Sequence, residues 1–417
     1  MKSGRYNRKT FLAAIGSATA GSVLLNTILP FSSARGQSNS FSAGPPGNEY
    51  LFADGLSYLN TGTLGPCRRD TIEESLKNWE ELELLPVKFY GKFGAESLAE
   101  RTRSVAAGFL NCDISEMLIT NSTTSGMNAI AQGLRLKAGD RILTTDQEHG
   151  GGLLCWNYFA KYYGVTIDKI NVPPGENNSE LILKRIKDEL RKKTKLISVS
   201  HVLSSTGLRM PIAEISSLAR ANGALCIVDG AQAAGAIEVD VKKLGCHAYA
   251  TSGHKWLMGP KGTGLLYLSK DAQDIIRPVQ FEESYNTYND GNGVVNLACI
   301  VGLGKAIEYL QSIGINKVEE HNLRLRHRLF EKLKDLNNAR ILSPADRTLA
   351  SPMLTVLLHD RFERTSFVKM LLDKHKLCIR ATHKEFGFNG IRFSMHIFNT
   401  EKEIDLASEI MHKELTT

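Results

Sequence analysis

The chain has 417 residues, 42% of them hydrophobic and 23% charged, a balance that excludes collagen-like, disordered and multi-span membrane classes. Lys and Arg number 51 against 44 Asp and Glu, and the resulting +7 points to an acidic partner only if the charge is clustered on the folded part. The seven cysteines form no Cys-x-x-Cys pair and are odd in number, so a disulfide scaffold, a zinc ribbon and a redox pair all lack their spacing.

Residues 1–34 hold Lys2, Arg5, Arg8 and Lys9, no acid, and then an uncharged, small and apolar run ending in Ser32-Ser33-Ala34. That is the pattern of an export signal peptide, and it is too polar for a membrane span of about 20 apolar residues. Asn7-Arg8-Lys9-Thr10-Phe11-Leu12 is similar to the twin-arginine motif with Lys9 in place of the second arginine, so a periplasmic destination is expected, with an uncleaved membrane anchor as the alternative. Removing this segment leaves 47 basic against 44 acidic residues, so most of the excess charge is an address. No aromatic-and-basic motif for nucleic acid accompanies it, and contact with the membrane is expected only through the export machinery. Residues 35–48, rich in Ser, Gly and Pro, read as a linker, and residues 49–70 as a segment that joins a smaller C-terminal domain.

From Met117 onward short apolar runs alternate with helical patterns. MLIT, RILTT, KLISVSHVL, ALCIVDG and GLLYLS read as buried strands, and IAEISSLARANG as a helix ended by Gly223. Continuous apolar strands between helices imply an α/β domain over residues 71–280, its mostly parallel sheet flanked by helices and its ligands at the carboxyl ends of the strands. Residues 281–417 differ, with strand-like MLTVLLHD, KLCIRAT and GIRFSMHIF and helical RTSFVKMLLDKHK and NTEKEIDLASEIMHKEL, which predicts a smaller α+β domain.

Two strand ends carry chemistry. ALCIV runs into Asp229-Gly230-Ala231-Gln232, and the next strand-like segment into Thr251-Ser252-Gly253-His254-Lys255-Trp256. A lysine and an aspartate so placed suit pyridoxal phosphate: the lysine forms the Schiff base, and the carboxylate keeps the pyridine nitrogen protonated so that the ring accepts electrons from a substrate carbanion. Ser122-Thr123-Thr124-Ser125-Gly126, opening a helix after MLIT, offers hydroxyls and amides for the phosphate, and Ser252 and His254 add to that cradle. Taken singly each feature is also an ordinary turn, N-cap or surface lysine; the joint order is what points to the cofactor. Rival motifs fail, since Gly259-Pro260-Lys261-Gly262-Thr263 lacks the phosphate-loop order and no His-Glu-x-x-His suggests a metal.

At these residues the chain resembles the class V aminotransferase family of fold-type I pyridoxal phosphate enzymes, which includes cysteine desulfurases and isopenicillin N epimerase-like proteins. The likeness runs from YLNTGTLGP near Tyr58 to FNTEKEID near Asp405. It implies that Lys255 is the Schiff-base lysine, Asp229 the pyridine-nitrogen partner, His149 the ring-stacking residue and Gln232 the neighbour of the phenolic oxygen. It further implies that Thr124, Ser125, Ser252 and His254 hold the phosphate, that Ser204 stands where the family often has a cofactor-contacting Asn, and that Arg392 grips the substrate α-carboxylate. A homodimer is implied as well.

Three departures matter. The nucleophilic cysteine of cysteine desulfurases falls near Glu385, and Cys378 lies inside an apolar strand, so sulfur transfer through a protein persulfide is disfavoured. The Gly-Thr that reaches a neighbouring subunit's phosphate is Gly293-Val294 here, and the polar run around Tyr285–Asp290 is atypical. The expected activity is on the Cα of an amino acid or another primary amine, by transamination or epimerisation, with His383 a candidate second proton relay by location. A C–S lyase acting on a cysteine conjugate is the alternative. A non-catalytic exported binding protein on a decayed scaffold is a third reading, opposed by intact Lys255, Asp229 and His149.

Overall fold

A computed structural model describes residues 49–86, 95–277, 295–336 and 338–416, so the expected signal peptide and linker and the atypical stretch from Tyr285 to Val294 lie outside the described residues. Strand β1 (Ser57–Tyr58) comes first, and the larger sheet is then built from β2 (Met117–Thr120), β3 (Arg141–Thr145), β4 (Thr166–Ile170), β5 (Thr194–Ser200), β6 (Leu225–Asp229), β7 (Ala248–Ser252) and β8 (Gly264–Leu268). Their order is β2-β8-β7-β6-β5-β3-β4. The pairs from β7 through β6, β5 and β3 to β4 are parallel, and β8 runs antiparallel to both β7 and β2.

Side chains of this sheet alternate between two apolar layers. Ile197, Val199, Cys226, Val228, Tyr249, Leu265 and Tyr267 enter one core, while Leu196, Leu225, Ile227, Ala248, Ala250 and Leu266 enter the other with Trp156 and Phe159. A strand buried on both faces needs apolar residues at every position, which is why these segments read as continuous runs. The edge strand β4 exposes Thr166 and Lys169, and its Asp168 pairs with Arg141 of β3, a charged pairing that suits an edge.

Helices cover both faces, and their caps set where the loops begin. Ser122 accepts a hydrogen bond from the Ser125 amide to start the helix Thr123–Gly133, and the His149 ring accepts from the Gly151 amide to start Gly150–Tyr163, which Gly164 ends in the left-handed conformation. The periodicity also hid two long helices at Arg69–Leu84 and Ala95–Leu110 and a pair at Leu297–Ile313 and Ile315–Leu333.

The second sheet holds β9 (Ala339–Ile341), β10 (Met353–Leu358), β12 (Arg380–Ala381) and β13 (Gly390–Ser394) in the order β12-β13-β10-β9, with β11 (Leu377–Cys378) pairing instead with β1 in parallel. Here the expected domain boundary at residue 281 is corrected. Helix Leu297–Ile313 packs on Arg69–Leu84 and Ala95–Leu110, and its Ile300, Leu303, Ile307 and Leu310 belong to the core of the larger sheet. The smaller core starts with Leu325 and gathers Leu329, Leu354, Val356, Phe393 and Ile404 around Leu59. Leu59 is fully buried there, so the N-terminal segment is part of that core. Leu59→Ala is expected to destabilise the protein by about 2–5 kcal/mol, and the volume-conserving Leu59→Met by less than about 1.5 kcal/mol, measured as shifts in urea midpoint. Equal effects of the two changes would contradict this packing.

Candidate active site

The carboxyl ends of the parallel strands and the inner face of the smaller sheet enclose a cavity of about 240 Å³. It is lined by Ser122, Thr123, Thr124, His149, Asp229, Gln232, Ser252, His254, Lys255 and Arg392, together with Gly62, Thr63, Gly152, Ala231, Arg380 and His383.

Asp229 is the last residue of β6 and is buried, its Oδ1 accepting from the Ala231 amide at 2.9 Å. Burial pushes its carboxyl above the usual range, partly offset by the Ala231 amide and by the charge of Lys255. Gly152, on the helix that His149 caps, leaves the carboxylate reachable: a Cβ there would lie 2.6 Å from Asp229 Oδ2. Lys255 follows β7 and faces the cavity. Removal from water pushes its amine down to about 8, against the pull of Asp229 and with help from Arg392 and Arg380. Such an amine is partly unprotonated near neutral pH, the state that attacks an aldehyde.

His149 is held by its own helix cap, and burial together with neighbouring cations pushes its imidazole down to about 4, so the ring is a neutral aromatic plate. The preceding Glu148 is buried, accepts from Thr145 Oγ1 at 2.8 Å and Ser200 Oγ at 2.6 Å, and ties the His149 turn to β3 and β5. Desolvation pushes this carboxyl up to about 7. Gln232 donates from Nε2 to the Gly62 carbonyl at 2.9 Å and accepts from Trp256 Nε1 at 2.8 Å, which presents its amide edge to the cavity.

At the other end, Ser252 Oγ accepts from the Thr123 amide at 3.0 Å and lies 2.8 Å from Thr123 Oγ1, joining β7 to the helix start. Thr124 and His254 complete that wall, and His254 Nδ1 is buried with no partner among the described residues.

Two expected cofactor contacts are placed outside the cavity lining. Ser125 does not line the cavity: its hydroxyl accepts from the Asn121 and Ser122 amides and donates to the Ser122 carbonyl, so it is spent on the helix cap. Ser204 does not line it either; its carbonyl accepts from Arg392 Nη1 at 2.9 Å, which makes it a support for the arginine. Arg392 is 4% exposed and is steered further by Thr63 Oγ1 at 3.3 Å from Nη2, while its Nε has no acceptor among the described residues. Arg380 and His383 were not singled out as a site pair because the contact between β12 and β13 is invisible in one dimension; an arginine closing an apolar strand was the one available signal.

The residues fit pyridoxal phosphate: a reachable buried carboxylate, a deprotonatable lysine, a neutral plate, and at a helix start hydroxyls beside an unpartnered imidazole nitrogen. The fold and this site define a pyridoxal phosphate-dependent enzyme. The aminotransferase class-V family model matches residues 91–406, and the chain belongs to that family. A probable cysteine desulfurase of Pyrococcus abyssi is 31% identical over 335 residues, covering 73% of this chain and 80% of that protein. Isopenicillin N epimerase of Amycolatopsis lactamdurans is 27% identical over 383 residues, covering 87% and 95%. The apo structure of cysteine desulfurase from Thermococcus onnurineus NA1 superposes with a TM-score of 0.77 at 25% identity, covering 87% of this chain and 95% of that one.

Glu148 carries a pH prediction. The folded chain keeps this proton up to about pH 7 whereas an unfolded glutamate releases it near about 4.3, so the folded state binds more protons in that window and loses stability as pH rises through it. Glu148→Gln is expected to flatten that loss by on the order of 3 kcal/mol, read from urea midpoints at pH 5 and pH 8. The same slope in both proteins would show that Glu148 is ionised throughout. For Lys255, the rate at which the apoprotein takes up pyridoxal phosphate is expected to rise with pH and level off above about 8.

Proposed function

We propose that the enzyme acts at the Cα of an α-amino acid, by transamination or by isopenicillin N epimerase-like inversion. The observation that carries this reading is Arg392. Its guanidinium is buried, has no carboxylate partner among the described residues, and shares the cavity with Lys255. A buried unpaired cation is costly unless a ligand supplies the anion, and a guanidinium offers a carboxylate two parallel hydrogen bonds.

Bound pyridoxal phosphate supplies the electron sink at Cα. Asp229 would hold positive charge at the pyridine nitrogen, His149 would restrain the ring, and Thr123, Thr124, Ser252 and His254 would hold the phosphate. Arg392 fixes the α-carboxylate, which orients the Cα–H bond. The free Lys255 amine would take and return that proton, a task suited to a group near pH 8. Inversion needs a second carrier. His383 is in the cavity with its ring 5.1 Å from that of His149, edge-on, and its Nε2 accepts from Arg380, which leaves the neutral ring's proton on Nδ1.

Protein persulfide chemistry is disfavoured, because none of the seven free thiols is among the residues that line the cavity and burial raises Cys378 above the ordinary thiol range. The same fact supports a C–S lyase as the second reading, since a cysteine conjugate brings its own leaving thiolate. Export through the 1–34 signal is part of the proposal, and so is a homodimer: Leu51, Leu76 and Trp79 are exposed along an apolar groove beside helix Arg69–Leu84, next to the loop that carries Gly62 and Thr63 into the cavity. A monomer by light scattering would remove the dimer.

The decisive test is a panel of amino acids in deuterated water. Wild-type protein is expected to show the visible band of a lysine-linked cofactor and to exchange the Cα hydrogen; Lys255→Ala loses exchange and the borohydride-fixed link, and Arg392→Gln lowers kcat/KM by at least about tenfold. Exchange without keto acid selects inversion, keto acid selects transamination, and pyruvate with a released thiol selects the lyase. A colourless protein that cannot be reconstituted sinks the reading.

A further inference from the structure

Arg380 stands directly opposite Arg392 in the antiparallel register of β12 and β13, and both line the cavity. Side chains at such a pair share one face of the sheet with Cβ atoms about 4.5–5.5 Å apart, and like charges there destabilise the sheet. Neither guanidinium has a carboxylate partner among the described residues. The acid that lines the cavity is Asp229, which the Ala231 amide already engages, while Lys255 adds a third basic group. Arg392 is held well below the usual arginine range, at about 9, chiefly by burial and further by the charge of Arg380.

The two guanidiniums are anchored on different partners. Arg392 donates to the Ser204 carbonyl and lies 3.3 Å from Thr63 Oγ1, and its Nε has no acceptor among the described residues. Arg380 is held by His383, whose Nε2 lies 3.3 Å from Arg380 Nη2, on the loop after β12. One carboxylate seated on both Arg392 donors leaves the Arg380 charge without an anion. The phosphate-holding wall of Thr123, Thr124, Ser252 and His254 is a separate group of hydroxyls and imidazole that already answers the cofactor's anion.

We propose that the substrate carries two anionic groups, an α-carboxylate seated on Arg392 and a second carboxylate seated on Arg380, so that the substrate class is an aminodicarboxylic acid. This rests on the α-amino acid reading above and makes Arg380 a specificity-determining residue.

The test is calorimetric binding to the cofactor-loaded enzyme of succinate and glutarate against butyrate and valerate, which match them in chain length and lack the second charge. Wild type is expected to bind the dicarboxylates at least about tenfold more tightly, and Arg380→Gln to remove that preference while weakening the monocarboxylates less than about twofold. Arg380→Lys should restore part of the preference, which a mere folding defect would not. No preference in wild type, a preference that survives Arg380→Gln, or equal weakening of both ligand classes would each overturn the proposal, the last by showing that both arginines grip one carboxylate. Visible absorbance and Cα exchange on the same preparations report the α-amino acid reading separately: their loss with binding intact faults that reading, and their presence without dicarboxylate preference faults this one.

Discussion

The site depends on one pairing of opposite charges in a place poor in water: the Asp229 carboxylate at the end of β6 and the Lys255 amine three residues beyond the end of β7. Burial alone drives both toward their neutral forms, raising the acid and lowering the base, and each partly restores the other's charge. The balance leaves an amine able to lose its proton near neutrality beside a carboxylate that favours a cation. The parallel register that sets Asp229 against Ala250 fixes how far apart the two groups emerge, so the sheet is the ruler for the chemistry.

Around that pair the protein spends its polar groups on orientation. Glu148 pins the turn that presents His149, Gln232 is clamped between Trp256 and the Gly62 carbonyl, and Ser204 steadies Arg392 through its backbone. Gly62 lies in a tight place between residues of both sheets' loops and strands: a Cβ there would meet Ser394 Oγ of β13 at 2.9 Å and Gln232 Oε1, just after β6, at 3.0 Å. The N-terminal segment serves this contact. Leu59 anchors it in the smaller core, and Gly62 and Thr63 follow directly into the cavity wall. Residues near the N-terminal segment and from the smaller sheet thus line one cavity with the strand ends of the larger sheet.

Much of this was legible in one dimension. The buried strands announced themselves because a strand covered on both faces is apolar throughout, and Asp229, Lys255 and His149 could be placed because strand ends in such sheets face the ligand. The errors have a common cause. Ser125 and Thr124 are adjacent hydroxyls at a helix start, and only the turn of the helix decides that one closes the cap while the other faces the cavity. Helix Leu297–Ile313 follows the larger sheet in sequence and looks like the start of a new domain, yet its apolar face finds its partners in the far earlier helices Arg69–Leu84 and Ala95–Leu110.

The sequence by itself determined the class of fold and brought Lys255 and Asp229 forward as candidates, because these depend on local order: an apolar run, then a charged or hydroxyl-bearing turn. Tertiary structure alone decided the substrate end of the site. The pairing of β12 with β13 sets Arg380 across from Arg392, and the packing of the smaller sheet on the larger brings both to Lys255. Charge repulsion between two side chains twelve positions apart has no signature in composition or period; it arises only when a hydrogen-bonded register puts them on one face.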